Sequence, residues 1–200
     1  MIYRARGSTG TLRKSALLAV SAFCMQMIAG GAQAGDARFM EVSARFPAPS
    51  GANDLCRSYA WACAGSRGQR LDSALEFDLV RQVNRQVNAV TRDVTDRQQY
   101  NMEEKWALPT RMGGDCEDFA LLKKRDLIRL GVDPRRLLLA TVLDRRRNAH
   151  AVLIYRSSQG DLVLDNLSNQ IRPWKATGYI FLRMQDPRRP RSWVGVQNKT

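Results

Sequence analysis

The chain has 200 residues, of which 32 are basic and 19 are acidic, so its formal net charge at pH 7 is +13. This length suits one domain with a single sizeable core. The charge is compatible with an acidic partner protein or with an arginine-rich solvated surface. No nucleic-acid recognition motif accompanies it, and we therefore expect no nucleic-acid partner.

The N-terminus has the pattern of an export signal. A basic head precedes an apolar run of small residues from Ser15 to Gly31, and Ala32-Gln33-Ala34 matches a small-x-small cleavage site. The apolar run is short for a membrane span, which needs about 20 residues. We therefore predict that residues 1–34 are a cleaved signal peptide and that the exported protein keeps no stable membrane insertion. An uncleaved anchor is the alternative.

Residues 35–72 are predicted to form an extended lead-in with one local cross-link. Residues 35–52 are small and polar and include several prolines. In the oxidising compartment that export implies, a disulfide between Cys56 and Cys63 would close a small loop. Cys116 is then the odd thiol of the exported chain, and such a thiol is either buried and inert or reactive.

The first long helix is predicted to start at Ser73. Apolar residues recur there every three or four positions, which is typical of an amphipathic helix. These residues are Leu75, Leu79, Val83, Val87, Val90 and Val94. An Arg-Gln-Val-Asn tandem repeat at residues 81–84 and 85–88 preserves this apolar face, because one helical turn is close to four residues.

A second helix is predicted after a turn-rich segment. Residues 95–115 contain Leu108-Pro109-Thr110 and end near Gly113-Gly114. The helix then runs from Asp115 to Leu130, and Gly131 ends it.

The rest of the chain alternates short aliphatic or β-branched runs with turns, which is typical of consecutive antiparallel strands. The expected strands are Leu137 to Leu143, Ala149 to Tyr155 and Leu162 to Leu164, with Ile171 to Trp174 and Tyr179 to Leu182 as candidates to complete the sheet. Residues 187–200 are rich in Arg and Pro and are predicted to be a loose tail. The sequence thus predicts an α+β fold, helices first and sheet second, with the main domain over residues 73–186.

Three residues in this arrangement indicate nucleophilic acyl chemistry. Cys116 would lie in the first turn of the second helix, where unpaired N–H groups and the helix dipole stabilise a thiolate. His150 is the single histidine of the chain, and Asp165 closes a predicted strand 15 residues later. We predict a Cys116 nucleophile, a His150 general base and an orienting Asp165. Each residue alone also has a purely structural interpretation. Cys116 could be a small buried apolar residue, His150 a residue at the end of a strand, and Asp165 part of a turn.

The acids around Cys116 have two interpretations. Asp115, Glu117 and Asp118 should raise the pKa of the thiol and oppose thiolate formation. Asp115 suits the N-cap of the helix, and acids in a first turn complement the dipole. The alternative is a calcium ion held by carboxylates, which would also neutralise charge beside the thiol. No spaced EF-hand loop is present, and the residues alone favour the cap.

The motifs resemble those of the bacterial transglutaminase-like cysteine peptidases, in particular the periplasmic LapG type. The resemblance is carried by Gly114-Asp-Cys-Glu-Asp-Phe-Ala120, Ala149-His150-Ala-Val-Leu and Leu162-Val-Leu-Asp165-Asn166-Leu167, with Val94-Thr-Asp96, Tyr100 and Trp106-Ala-Leu-Pro109 upstream. It covers roughly residues 70–182. It implies a papain/transglutaminase-like fold, a Cys116/His150/Asp165 triad and a Ca²⁺ site that includes Asp115 and Glu117, in place of a plain cap.

The resemblance also implies a biological role. Enzymes of this type reside in the periplasm, clip a large surface adhesin near its N-terminus and so release cells from a biofilm. An inner-membrane cyclic-di-GMP receptor sequesters them. The nearby Cys56/Cys63 pair and the Arg-rich tail depart from the family pattern. Two other functions stay open: an acyl transferase that resolves the same thioester with an amine, and a non-enzymatic calcium-binding adaptor.

Overall fold

The computed structural model describes residues 38–65 and 71–198, so the predicted signal peptide, residues 1–34, lies outside the described residues. The helices of this part of the chain are α1 (Leu55–Ser58), α2 (Ser73–Val90), α3 (Asp96–Tyr100) and α4 (Cys116–Arg129). Its strands are β1 (Glu41–Phe46), β2 (Leu137–Leu143), β3 (Ala149–Ser157), β4 (Gly160–Leu164), β5 (Arg172–Pro173), β6 (Ile180–Asp186) and β7 (Arg189–Gln197). Short 3₁₀ turns cover Ser50–Ala52, Ala60–Cys63, Pro134–Arg136 and Trp174–Thr177.

The seven strands form one antiparallel sheet in the order β1-β7-β6-β2-β3-β4-β5. Helix α4 packs on β2 and β3, and α2 packs on α4. Alternate strand residues therefore face the helices, as Leu139 and Leu153 do, or a second core on the opposite face, as Leu138 and Ile154 do. This architecture confirms the predicted α+β class with helices before an antiparallel sheet.

Helix α2 begins where the sequence predicted, but its buried face differs from the expected one. Asp72 caps it by accepting hydrogen bonds from the N–H groups of Ala74 and Leu75 at 2.9 and 3.3 Å. The buried residues are Glu76, Val80, Val83, Asn84 and Val87, whereas Leu75 and Val90 are exposed and Val94 lies beyond the helix. The buried face differs from the predicted apolar face because it includes two polar residues, Glu76 and Asn84.

The second helix and the central strands follow the sequence closely. Helix α4 starts at Cys116 with Asp115 in the N-cap position, and Gly131 follows its end with a φ of +96° that favours glycine. Strand β2 has the predicted bounds, and β3 continues two residues beyond Tyr155.

The prediction of a loose C-terminal tail was wrong, and the extended lead-in also joins the sheet. The lead-in contains β1, and residues 189–197 of the expected loose tail form β7, between β1 and β6 in the sheet. Trp193 and Val194 of β7 are buried on opposite faces, in the two cores. The Arg and Pro content of this segment indicated disorder, but its apolar residues supply burial on both faces of the sheet.

Cys56 and Cys63 form a disulfide, as the sequence suggested. The side-chain amide of Gln185 on β6 donates to the Ala62 carbonyl at 3.1 Å, which connects the cross-linked loop to the sheet. Within the described residues, no helix has the length and apolar character needed to cross a membrane.

Candidate active site

A cleft of about 390 Å³ lies between the start of α4 and one edge of the central sheet. Its lining includes Cys116, His150, Asp115 and Glu117. The structure thus brings the predicted nucleophile, the predicted base and both predicted metal ligands to one cleft. Asp165 contacts His150 and is not among the residues that line this cleft.

Two glycines position the thiol. Gly113 has a φ of +132°, and a Cβ there would lie 2.2 Å from the carbonyl oxygen of Arg92. A Cβ on Gly114 would lie 2.5 Å from the Asp118 carboxylate. Because neither residue has a side chain, the turn can pack against residues 92–94 and α4 can start immediately afterwards.

The Cys116 thiol is protonated and bonded to its neighbour in this arrangement. Its sulfur donates to Oε2 of Glu117 at 3.2 Å. Burial, and then the charge and hydrogen bond of Glu117, raise the pKa of the thiol, while the N–H of Ala151 lowers it. No hydrogen bond between this thiol and the imidazole occurs in the described structure. Cys116 therefore needs a change in its surroundings to become a thiolate.

His150 and Asp165 form a hydrogen-bonded pair at the edge of the sheet. Strands β3 and β4 are antiparallel, with Leu153 opposite Leu164, so the start of β3 and the end of β4 meet at the same edge. His150 Nε2 lies 2.9 Å from Asp165 Oδ1, and both side chains are buried. This leaves Nδ1 as the ring nitrogen available to a thiol.

The Asp165 carboxylate has further donors. The Tyr179 hydroxyl donates to Oδ2 at 2.6 Å, and the Leu167 N–H donates to Oδ1 at 3.0 Å. Burial alone would raise the pKa of Asp165, but the hydrogen bonds from His150 and Tyr179 outweigh it and hold the pKa below its usual value. Asp165 is therefore ionised and fixed at neutral pH.

An acidic pocket, formed by Asp96, Asp115 and Glu117, adjoins the thiol. Each of these residues offers a carboxylate oxygen, and the three oxygens lie within 4.8 Å of one another. Asp115 occupies the N-cap position of α4 but makes no side-chain cap; its Oδ2 instead accepts from the Asp96 N–H at 3.0 Å. The plain-cap interpretation is therefore wrong for the Asp115 side chain.

The pocket leaves charge without partners. Asp96 Oδ1 and Asp115 Oδ1 are buried and accept no hydrogen bond from the described residues. Burial and then the charge of Asp115 raise the pKa of Asp96, and the same two causes raise the pKa of Glu117. Orphaned carboxylate oxygens at this spacing suit a hard cation such as Ca²⁺, which takes oxygen ligands.

Asp118 has a separate role from the other acids. Its Oδ1 accepts from the Ala107 N–H at 2.9 Å and so holds the segment before the Gly113-Gly114 turn. Its Oδ2 is buried without a partner among the described residues. Burial raises the pKa of Asp118 to about 7, against the lowering effect of the Ala107 N–H.

Three residues at the site were not selected from the sequence: Asp96, Tyr179 and Asn88. A capping box of Thr95 and Gln98 starts α3, and Gly114 exchanges backbone hydrogen bonds with Arg92 and Val94, so Asp96 arrives beside Asp115. The Thr-x-x-Gln spacing is a sequence signal for the helix start. No local pattern indicates the contact of Tyr179 with Asp165.

A free thiol at a helix start, next to a histidine–carboxylate pair at the edge of an antiparallel sheet, is the arrangement of cysteine peptidases with a papain-like or transglutaminase-like fold. The family model of the bacterial transglutaminase-like cysteine proteinases matches residues 42–200. The chain therefore belongs to this family and is a transglutaminase-like cysteine peptidase.

Solved structures similar to this chain include two forms of LapG from Legionella pneumophila. The calcium-bound form is 23% identical, with 66% of this chain and 81% of that chain covered and a TM-score of 0.47. The EGTA-treated form is 21% identical, with 72% and 84% covered and a TM-score of 0.48. No curated protein sequence matches the chain significantly.

Proposed function

We propose that this peptidase is a calcium-dependent endopeptidase that uses a Cys116/His150/Asp165 triad. One observation carries the proposal: His150 is bonded through Nε2 to Asp165 at 2.9 Å, in the same cleft as Cys116. Since Asp165 holds the Nε2 proton, Nδ1 is left as the base for the thiol.

The residues support acyl transfer in two stages. Nδ1 of His150 takes the thiol proton, and the Cys116 sulfur attacks the scissile carbonyl to give a tetrahedral adduct. The imidazolium then protonates the leaving amine as the C–N bond breaks, and a thioester remains. Water, deprotonated by the same imidazole, hydrolyses the thioester. The Cys116 N–H, in the first turn of α4, is a candidate donor to the oxyanion.

Asp96, Asp115 and Glu117 would hold the calcium ion. A bound cation would supply positive charge beside Asp96 and Glu117, whose carboxyl pKa values are raised in the chain alone. Glu117 currently accepts the thiol hydrogen bond. If Glu117 ligated a cation, its charge would no longer oppose ionisation of Cys116, and the thiol would be free to form a hydrogen bond with His150.

For the biological role, we propose cleavage of a large surface adhesin near its N-terminus in the periplasm, which promotes biofilm dispersal, and sequestration by an inner-membrane cyclic-di-GMP receptor. Support comes from the motif resemblance and from the export pattern of residues 1–34.

The test is cleavage of the N-terminal segment of the organism's large adhesin by purified protein. The wild type should cleave it in calcium and stop in EGTA. Cys116→Ala and His150→Ala should each lower kcat by about 1,000-fold or more, because both residues act in bond making and breaking. Exposed Gln82→Ala is the matched control and should retain activity.

Continued cleavage by Cys116→Ala would contradict the proposed nucleophile, and cleavage unchanged in EGTA would contradict calcium dependence. Incorporation of a labelled primary amine into the adhesin, in preference to hydrolysis, would instead identify an acyl transferase.

A further inference from the structure

We infer that Tyr179 and Asn88 are positioning residues that fix Asp165 from outside the cleft, and through Asp165 select the histidine tautomer that the reaction needs. The inference rests on the proposed triad. It gives a function to the Arg-Gln-Val-Asn tandem repeat, which the helix itself does not require.

Asn88 holds the main chain of the Asp165 loop. Its side-chain amide donates to the Asp165 carbonyl at 2.9 Å and to Asn169 Oδ1 at 2.9 Å. One turn earlier, Asn84 is fully buried and its amide donates to the Asn169 carbonyl at 3.3 Å. The repeat thus places two asparagines on one face of α2, four residues apart, and both contact the loop.

Asparagine is a poor residue for a helix interior compared with alanine. Two of them at equivalent repeat positions therefore indicate a role outside the helix. Exposed residues that lie between the two asparagines in sequence, such as Gln86, make no such contact in the described structure. The repeat combines a buried valine for packing with an asparagine for the loop.

Tyr179 holds the carboxylate of Asp165. Its hydroxyl donates to Oδ2 at 2.6 Å, so Oδ1 is the oxygen that accepts from His150 and Leu167. The Tyr179 ring also meets the His150 ring edge-on, with centroids 5.9 Å apart and planes at 90°. One side chain therefore fixes the rotation of the carboxylate and restricts the plane of the imidazole.

The consequence concerns the proton on the imidazole. A carboxylate fixed with Oδ1 toward Nε2 keeps the neutral ring protonated at Nε2, and Nδ1 is free to accept the thiol proton. If the Asp165 carboxylate or its loop can rotate away, the neutral ring can place its proton on either nitrogen. The fraction with a free Nδ1 then falls, and kcat falls with it.

The chain has a single histidine, so the test is a direct one. Nitrogen NMR of the purified protein, after removal of any affinity tag, reports which ring nitrogen of His150 is protonated in the neutral form. We expect the Nε2–H tautomer in the wild type and a mixture in Tyr179→Phe and in Asn88→Ala. Gln86→Ala, in the same repeat, should match the wild type.

Kinetics supply the second readout. We expect Tyr179→Phe to lower kcat about tenfold with KM within twofold, because it alters the base and leaves the substrate cleft unchanged. A wild-type tautomer in both Tyr179→Phe and Asn88→Ala would overturn the inference, whatever their activity. The NMR result does not need turnover, so failure of the proposed function would appear separately, as cleavage retained by His150→Ala.

Discussion

The two sides of the cleft differ in how completely protein atoms satisfy their charges. On the His150 side, each oxygen of the Asp165 carboxylate has a donor, and the pKa of Asp165 is held below its usual value. On the Cys116 side, Asp96 and Asp115 each keep an orphaned oxygen, and the pKa of Asp96 is raised by burial and by Asp115. Protein atoms alone satisfy the first side, whereas the second keeps carboxylate oxygens without donors among the described residues.

This difference separates two tasks of the site. Orientation of the imidazole depends on a fixed sheet edge, and it is built from permanent hydrogen bonds. In the proposed mechanism, ionisation of the thiol depends on the electrostatics of the acidic pocket, and a bound cation would switch it. We therefore expect changes on the two sides to have different effects. Changes on the His150 side should alter the His150 tautomer and kcat, whereas changes on the Cys116 side should alter the calcium dependence of activity.

Removal of one carboxylate from the acidic pocket should strongly weaken both calcium binding and activity. Asp96→Asn should weaken calcium binding and, at fixed calcium, lower kcat/KM by about 100-fold, since loss of a ligand from a metal site has effects of at least this order. Isothermal titration calorimetry and cleavage assays would measure both. Asp78→Asn, an exposed carboxylate on α2, is the control.

Unchanged calcium affinity in Asp96→Asn would contradict the proposed role of the acidic pocket. In that case Asp96 does not bind the ion, and other residues form the calcium site. Excess calcium should partly restore Asp96→Asn, whereas it should not restore Tyr179→Phe.

A pH-dependent loss of stability is the next effect. Burial raises the pKa of Asp118 from 3.8 to about 7, so the folded chain holds a proton that the unfolded chain releases. Stability contributed by this proton is present below pH 3.8 and is lost as pH rises to about 7, by at most about 1.4 kcal/mol per pH unit. In EGTA, Asp118→Asn should remove this slope, because an amide does not titrate in this range. Its oxygen can still accept from the Ala107 N–H, so the contact that Asp118 makes is kept.

Urea unfolding at several pH values between 4 and 8 would measure the difference between Asp118→Asn and the wild type. We expect the variant to gain relative stability as pH rises. A constant difference across this range would show that Asp118 titrates normally.

The disulfide should affect stability with little effect on activity. Cys56 and Cys63 are separated by seven positions, and cross-linking such a loop stabilises by about 2.5 kcal/mol in the chain-entropy account. The double variant Cys56→Ser/Cys63→Ser should lose about this much in denaturant unfolding, with kcat/KM within twofold. A large loss of activity would indicate that the loop contributes to the cleft.

The sequence predicts the parts of this site that depend on local pattern. Cys116 follows a glycine turn and starts a helix, and the runs that became β2, β3 and β4 are strongly aliphatic. His150 and Asp165 then meet because neighbouring antiparallel strands share an edge. These steps require only helix signals, strand signals and short connections.

The parts that were missed depend on contacts between distant segments. Asp96 reaches Asp115 through the pairing of residues 92–94 with Gly114, and Asn88 reaches Asp165 across 77 positions of sequence. Strand β7 was not predicted because the Arg and Pro content of the segment indicates a loose tail, although two of its apolar residues, Trp193 and Val194, are buried. Composition and periodicity describe one segment at a time, so they carry no information on which segments will meet.

The most direct test of the account is the pH dependence of Cys116 alkylation, measured with calcium and with EGTA. With Cys56 and Cys63 in their disulfide, Cys116 is the free thiol of the described chain. We predict that calcium lowers the apparent pKa of this thiol by at least one unit and that Glu117→Gln abolishes the calcium effect. The same alkylation profile in calcium and in EGTA would contradict the proposal that a cation in the acidic pocket promotes ionisation of Cys116.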